Sequence, residues 1–376
     1  MVSGFNRILV TLVVAWSGMA IAGQIDRVVV VGADSLSDTG NLSLLSGGTQ
    51  PPSTAYEPGT FSNGPIWIDE LAADLGLTMN DTALITGPLG NGFVDNFAVA
   101  GSLTHSYNLG PSINVSNVAD LVAVLSSAAP AGVPGATEQF GAYLTTGVDV
   151  NATTFVWAGS NDLLFSPFLN PLAVTDAQVR MDFATEAAAS VAAIAAALDA
   201  AMVEDLVVLN LPDLGLTPFA DFATPSDPVI GLTLQSLFSA APDPSAAFSA
   251  YLSLISSEFN TALSQQLALA GLDDALFDLA ASFADVVANP AAYGLTNIDD
   301  PCLQSVGPPS VVCNDPDQYL FWDDVHPTSA VHAVLAGQLL DVVAVPLPQP
   351  LVLILLGLAG LGLGRRRSVP SLSVRR

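Results

Sequence analysis

Hydrophobic residues in this chain fall into two patterns. Short unbroken runs, Ile25 to Val31, Thr153 to Ala158 and Asp205 to Leu211, are rich in β-branched residues and lack alternation, as in strands buried on both faces. Each breaks at a polar turn: Gly32-Ala33-Asp34-Ser35, Gly159-Ser160-Asn161-Asp162 and Pro212-Asp213. Longer stretches show helical character: Ala184 to Val203, dominated by the best helix former, then Ser245 to Ala270 and Ser329 to Val343. Strands without alternation, separated by helices, predict an α/β fold with a central parallel sheet covered on both faces. Segments rich in Gly, Pro, Ser and Asn, Ser46 to Gly64 and Asn289 to Pro316, read as long surface loops. In an open α/β sheet a site lies beyond the carboxyl ends of the strands, which is where the polar turns fall.

The two ends of the chain are patterned differently. Residues 1–22 place Arg7 before an apolar run from Ile8 to Ala15 and finish on Ala20-Ile21-Ala22, the layout of a cleaved secretory signal peptide. At the other end, Val345-Pro346-Leu347-Pro348-Gln349-Pro350 leads into an apolar stretch from Leu351 to Gly364, then Arg365-Arg366-Arg367. The stretch is short for a permanent span of roughly 20 residues, and the arginines would stay on the cytoplasmic side. This tail resembles the PEP-CTERM sorting signals of Gram-negative bacteria, with Leu347 where those signals carry glutamate. The resemblance implies a membrane sorting protease as a partner; a plain transmembrane anchor is the alternative. The expected organisation is a signal peptide over 1–22, a body over 23–344 and a sorting or transmembrane tail over 345–376.

Charge changes the picture further. The chain has no lysine, and six of its eight arginines lie in the two end segments. Within the body, Arg27 and Arg180 alone face 35 acidic residues. No cationic patch exists to displace counterions from phosphates, so nucleic acid is excluded as a partner, and anionic lipid surfaces are disfavoured. The acidity reads as a solubility device. Cys302 and Cys313 lie close together in a Pro/Gly-rich loop, and in an exported chain a disulfide between them is expected. With three histidines (His105, His326 and His332) and no clustered thiols, the sequence calls for no metal and no other cofactor.

Four constellations carry chemistry. In Val31-Gly32-Ala33-Asp34-Ser35-Leu36-Ser37-Asp38-Thr39-Gly40-Asn41, a serine at a strand end where a helix begins has an exposed hydroxyl and unpaired backbone donors beside it. In Phe321-Trp322-Asp323-Asp324-Val325-His326-Pro327-Thr328, a histidine precedes the last helix, and Asp323 can turn back onto its ring to hold one tautomer. Asp324 is the competing acceptor. Asn96-Phe97-Ala98-Val99-Ala100-Gly101-Ser102 and Trp157-Ala158-Gly159-Ser160-Asn161-Asp162 each offer a glycine that permits close backbone approach, and Asn161 adds a side-chain amide. His332 falls within the predicted last helix and reads as a packing or surface residue; His105 is a weaker candidate for the cleft.

Taken in order, Ser35, Gly101, Asn161 and Asp323 with His326 resemble the four blocks of the SGNH/GDSL hydrolase family. Phe61-Ser62-Asn63-Gly64-Pro65-Ile66-Trp67, Asn210-Leu211-Pro212-Asp213-Leu214-Gly215 and Asn289-Pro290-Ala291-Ala292-Tyr293-Gly294 resemble its secreted lipase, phospholipase and haemolysin-like branch. The resemblance runs from about Ile25 to Val343. It implies a three-layer, flavodoxin-like α/β/α sandwich and metal-free hydrolysis of carboxylic esters of lipids or short acyl chains. It further implies Ser35 as nucleophile, His326 as base, Asp323 as its orienter, and an oxyanion hole formed by Ser35, Gly101 and Asn161. An O-acetyl esterase acting on exopolysaccharide, or a non-catalytic surface protein retaining the fold, are the alternatives. Ala33 stands where the family usually has glycine. If that position needs φ > 0, alanine adds strain on the order of 1 kcal/mol; if φ is negative, the change is nearly neutral.

Overall fold

The valine run after Arg27 forms strand β1 (Val28–Ala33), and all six of its residues are buried, which requires cover on both faces. β1 belongs to a six-stranded sheet with β2 (Thr78–Asn80), β3 (Phe93–Asn96), β4 (Thr153–Trp157), β5 (Asp205–Leu209) and β6 (Leu276–Phe277), in the order β2-β3-β1-β4-β5-β6. Every pairing is parallel. β2, β3 and β6 have no counterpart among the predicted strands, being too short to show a periodic signal. This is a computed structural model, and it describes residues 25–52, 54–105, 108, 133–221, 228–305 and 310–343. Segments 1–22 and 345–376, expected from sequence to be a signal peptide and a sorting or transmembrane tail, lie outside the described residues. Ile25 to Leu340 form one compact unit.

The strand order matters for the site. β1 has β3 on one side and β4 on the other; the crossover leaving β1 runs past β3 to β2, whereas the one leaving β4 runs the opposite way to β5. Such a reversal opens a crevice at the carboxyl ends of the strands concerned. Ser35 follows β1, Gly101 follows β3 and Asn161 follows β4. Three of the four constellations are thereby delivered to one edge of the sheet by neighbouring strands.

The longer helices include α1 (Ala136–Thr146), α2 (Ala177–Ala200), α3 (Pro244–Ala270), α4 (Leu279–Ala288) and α5 (Ser329–Val343). α2 begins at Ala177, earlier than the predicted Ala184, because the Asp176 carboxylate accepts from Gln178 N at 2.9 Å and Val179 N at 3.3 Å. That is an N-cap, which alanine content alone does not reveal. Among the described residues, α2 is the helix long and apolar enough to cross a membrane. Here it packs on α3, β4 and β5, burying Ala184, Ala188, Val191, Ala195 and Leu198 at helical spacing.

The segment from Asn289 to Pro316 is not the plain loop its composition suggests. It holds β7 (Asn297–Pro301), β8 (Leu303–Ser305) and β9 (Val311–Val312). β7 pairs in parallel with β10 (Tyr319–Phe321), and β8 pairs with β9 in antiparallel fashion. Cys302 and Cys313 are joined as a disulfide, and Cys302 packs with Ala55, Leu303 and Trp322. Cross-strand pairing and a covalent link supply the order that local propensity does not.

Gly159 departs from the sequence reading in its reason for being glycine. It has φ 123°, and a Cβ there would lie 2.8 and 2.9 Å from the ring of Phe259 on α3. The space is filled by core packing, not kept for a substrate. Gly159→Ala is therefore expected to destabilise the fold by roughly 2 kcal/mol or more, through positive φ and overpacking together. A lower urea midpoint at unchanged m-value would register this; an unchanged midpoint would refute it.

Candidate active site

Ser35 sits in a turn, not at the start of a helix. Ser37 N and Asp38 N both donate to the Asp34 carbonyl at 3.0 Å, and the next helix begins only at Asn41. The turn is held by carboxylates. Asp34 Oδ1 accepts from Leu36 N at 3.0 Å. Asp38 accepts from Gly40 N (2.9 Å), Asn41 N (2.8 Å) and Leu42 N (3.0 Å), and reaches across to Ala100 N at 2.8 Å. This last bond ties the Ser35 turn to the segment carrying Gly101, whose φ is 78°. Neither the Ser35 N–H nor the Gly101 N–H bonds to another described residue. Donors of this kind are what a developing oxyanion needs.

Ala33 escapes the strain considered above. Among the described residues Met202 is the one non-glycine with positive φ, so Ala33 lies in the ordinary region, and Gly32 takes φ 62° instead. Gln139, fully buried on α1, brackets Ala33: it accepts from Ala33 N at 3.0 Å and donates to Ala33 O at 2.8 Å. The same amide donates to Ser102 Oγ at 2.6 Å, linking the ends of β1 and β3. Gln139 lies in the buried stripe Ala136, Gln139, Tyr143, and a glutamine within an apolar helical stripe is the sequence signal that could have marked it.

The histidine arrives from the far end of the chain. His326 Nε2 lies 2.8 Å from Ser35 Oγ, and Nδ1 lies 2.9 and 2.8 Å from the two oxygens of Asp323. A carboxylate only accepts, so Nδ1 carries the proton and Nε2 of the neutral ring is left to accept from the serine hydroxyl. Asp323 Oδ1 also accepts from Val325 N (2.9 Å) and His326 N (2.8 Å), which folds the segment back on itself. Asp323, not the competing Asp324, is the carboxylate on the ring.

The segment read from sequence as a long surface loop, Ser46 to Gly64, braces this pair. Tyr56 Oη donates to Asp323 Oδ2 at 2.8 Å, and its ring packs edge-on to Trp322. Phe61 packs on the His326 ring with centroids 5.3 Å apart. Ser62 Oγ donates to Pro327 O at 2.8 Å, and Asn63 Oδ1 accepts from Ser329 N at 2.8 Å. No local pattern marks Tyr56, because its partner lies 267 positions away.

Burial and charge oppose each other here. Burial pushes the His326 pKa down, but the charge and hydrogen bond of Asp323, helped by the charges of Asp34 and Asp324, outweigh it and leave the pKa above the ordinary 6.5. For Asp323 burial pushes upward, yet the His326 charge and three hydrogen bonds bring the net below 3.8. Asp34 is carried up to about 7 by burial, and its Oδ2 has no hydrogen-bond partner.

Asn161 donates from Nδ2 to Ser102 O at 3.0 Å, which leaves its second amide hydrogen free of that bond. Beside it, buried Asp162 accepts from Thr104 N (2.9 Å) and Thr104 Oγ1 (2.8 Å), pinning the end of β4 to the segment after Gly101. Ser35, Asn161 and His326 line one cavity with about 830 Å³ of empty space, its open mouth included. Its walls continue in two apolar stripes, Leu279, Phe283 and Val286 of α4 and Val331, Val334 and Leu335 of α5. His332, read from sequence as a packing or surface residue, is buried and lines this cavity. His105 does not line it; its Nδ1 lies 3.0 Å from Thr104 Oγ1 and its side chain is 44% exposed.

Comparison with known proteins places this geometry in context. Residues 28–339 match the family model described as GDSL-like Lipase/Acylhydrolase. A phosphatidylcholine-sterol acyltransferase of Aeromonas hydrophila is 25% identical over 82% of this chain and 88% of its own length. Esterase EstA of Pseudomonas aeruginosa is 29% identical over 85% of this chain but 47% of its own length, so the chain spans about half of that relative. The thermolabile hemolysin of Vibrio parahaemolyticus is 23% identical over 85% of this chain and 64% of its own.

The pKa values of the two buried histidines are displaced in opposite directions. Burial and the charge of His326 carry the His332 pKa down to about 3, whereas His326 lies above 6.5. Imidazole resonances followed by NMR between neutral pH and the limit of folding are expected to show His326 protonating first and His332 still neutral. Protonation of His332 near pH 6 would contradict this electrostatic picture.

Proposed function

The chain belongs to the GDSL-like lipase/acylhydrolase family, a family of carboxylic ester hydrolases, and on that premise we propose that Ser35 is its nucleophile, His326 its base and Asp323 the group that orients the base. The observation that carries the proposal is the continuous line Asp323–His326–Ser35, with 2.8 Å at each junction. His326 Nε2 takes the hydroxyl proton as Ser35 Oγ attacks the ester carbonyl carbon. The Ser35 and Gly101 N–H groups and the free amide hydrogen of Asn161 receive the negative oxygen of the tetrahedral intermediate. Its collapse expels the alcohol, which takes the proton back from His326. Water, activated by the same ring, then releases the acid and restores Ser35.

The apolar stripes of α4 and α5 support acyl esters with a hydrocarbon chain over acetylated sugars, since each buried methylene contributes about 0.8 kcal/mol. Export belongs to the same proposal and rests on the sequence patterns of residues 1–22 and 345–376, with the sorting protease as the partner of the tail.

Ser35→Ala is expected to lower turnover of a chromogenic medium-chain ester by at least about 10³-fold while far-UV circular dichroism stays the same. Wild-type turnover in that variant, or a wild-type protein that neither cleaves any ester nor reacts with a fluorophosphonate, would refute the assignment. The base must be neutral, and its raised pKa moves protonation toward higher pH. Activity is therefore expected to fall with acidification along a limb whose midpoint lies above 6.5. A profile flat from pH 8 to pH 5 would refute the role of His326.

A further inference from the structure

A base must be able to lose its proton, yet the charges around His326 favour keeping it. Asp323 and Asp324 act on the ring from its own loop, and Asp34 acts from the turn after β1. His332 on α5 is neutral over the working range, with its pKa down at about 3, and offers no counterweight. The cations among the described residues are engaged elsewhere, Arg27 with Asp149 and Arg180 with Glu258.

One neutral group bears on this balance. Tyr56 Oη donates to Asp323 Oδ2 at 2.8 Å, and the same oxygen lies 2.8 Å from His326 Nδ1. Asp323 Oδ1 accepts the backbone N–H groups of Val325 and His326, which belong to its own loop. Tyr56 is the donor brought from another segment, and it shares one carboxylate oxygen with the imidazole. A donor on an anion holds part of its charge, so less remains to stabilise a proton on the ring. Burial, with the charges of Asp323 and Asp324, pushes the Tyr56 pKa far up, which keeps the phenol a donor throughout.

The loop places Tyr56 for this contact. Its ring stands edge-on to Trp322 with centroids 6.4 Å apart and is tilted against Phe61 at 5.8 Å. It packs on the cluster of Ala55, Cys302, Leu303 and Trp322, which the disulfide anchors. Gly59, with φ 92°, sits so close to the Ser35 turn that a Cβ there would collide with the Thr39 carbonyl. Tyr56 does not line the cavity, so it acts on the reaction through Asp323 and His326.

We propose that Tyr56 is a positioning residue that sets the basicity of His326, by sharing Asp323 Oδ2 with the ring and holding its proton affinity down. The proposal rests on the Ser35–His326–Asp323 reading of the site.

Tyr56→Phe keeps the ring and removes the donor, which leaves Asp323 Oδ2 to the imidazole alone. The acid limb of kcat for a chromogenic medium-chain ester should then move to higher pH by about half a pH unit or more. At pH 7 kcat should fall severalfold with KM unchanged, and it should recover toward wild type on the alkaline plateau. Replacing Tyr56 by 3-fluorotyrosine, a stronger donor of nearly the same shape, should move the limb the other way. The His326 imidazole resonances should report the same two displacements by NMR. A limb unmoved in Tyr56→Phe, or a loss of kcat equal at every pH, overturns the proposal and leaves Tyr56 a structural brace. Should Tyr56→Phe fail to fold, the fluorotyrosine protein decides alone, and an unmoved limb there overturns the proposal too. These results are read in a wild type that turns over. A wild type that cleaves no ester and leaves Ser35 unlabelled by a fluorophosphonate removes the ester-hydrolase reading instead, and this proposal with it.

Discussion

The contact between His326 Nε2 and Ser35 Oγ closes a loop of 291 positions, and much of the polar structure at the sheet edge holds its two ends in place. A hydrogen bond of this kind contributes only about 1 kcal/mol net, far less than the chain entropy of bringing its ends together. Its geometry is therefore a consequence of the fold. The serine end is set by β1 and the strands on either side of it. The histidine end is set by β10, by α5, and by the loop from Tyr56 to Asn63 that bonds to Asp323, Pro327 and Ser329.

The body must satisfy many buried carboxylates with almost no cations. Asp34, Asp38, Asp95, Asp162, Asp323 and Asp324 are all buried, while Arg27 pairs with Asp149 and Arg180 with Glu258, away from the crevice. At the strand ends the pairing falls to backbone N–H groups, an amide and a hydroxyl: four N–H donors on Asp38, the N–H and hydroxyl of Thr104 on Asp162, and the Asn80 amide with two backbone N–H groups on Asp95. Such donors have fixed positions along the chain, so each bond also sets the spacing between two segments. Anion stabilisation and positioning are one device here. Asp34 is the exception, with one oxygen unpaired and its pKa raised to about 7.

The Ser35–His326 pair and the adjoining cavity place different demands on α5. Its approach positions His326 through the Phe321–Pro327 bridge and the bond from Thr328 Oγ1 to Tyr319 O at 2.8 Å. Its body turns Val331, Val334 and Leu335 toward the cavity and packs Leu339 into the core. The start of this helix thus holds His326 in place while its body forms one wall of the cavity, so the proposed turnover depends on the same element as the proposed acyl site.

Local sequence was enough to identify what depends on local forces. The valine run of β1, the alanine stripe of α2 and the apolar spacing of α5 follow from period and propensity, and the motifs around Ser35, Gly101, Asn161 and His326 are short enough to be read directly. It could not identify elements that exist only through pairing: β2, β3 and β6 are too short to carry a pattern, and β7 to β9 gain order from one another, from β10 and from a disulfide. Nor could it separate a Gly159 kept free for substrate from one required by Phe259, or show that Ala33 is relieved by Gly32. Tyr56, Gln139 and His332 acquire their roles from partners or surfaces far away in the chain. Backbone preference acts over a few residues, whereas burial and hydrogen-bond partnership are settled only when distant segments pack, so the sequence determined which groups were present and the tertiary structure decided which of them meet.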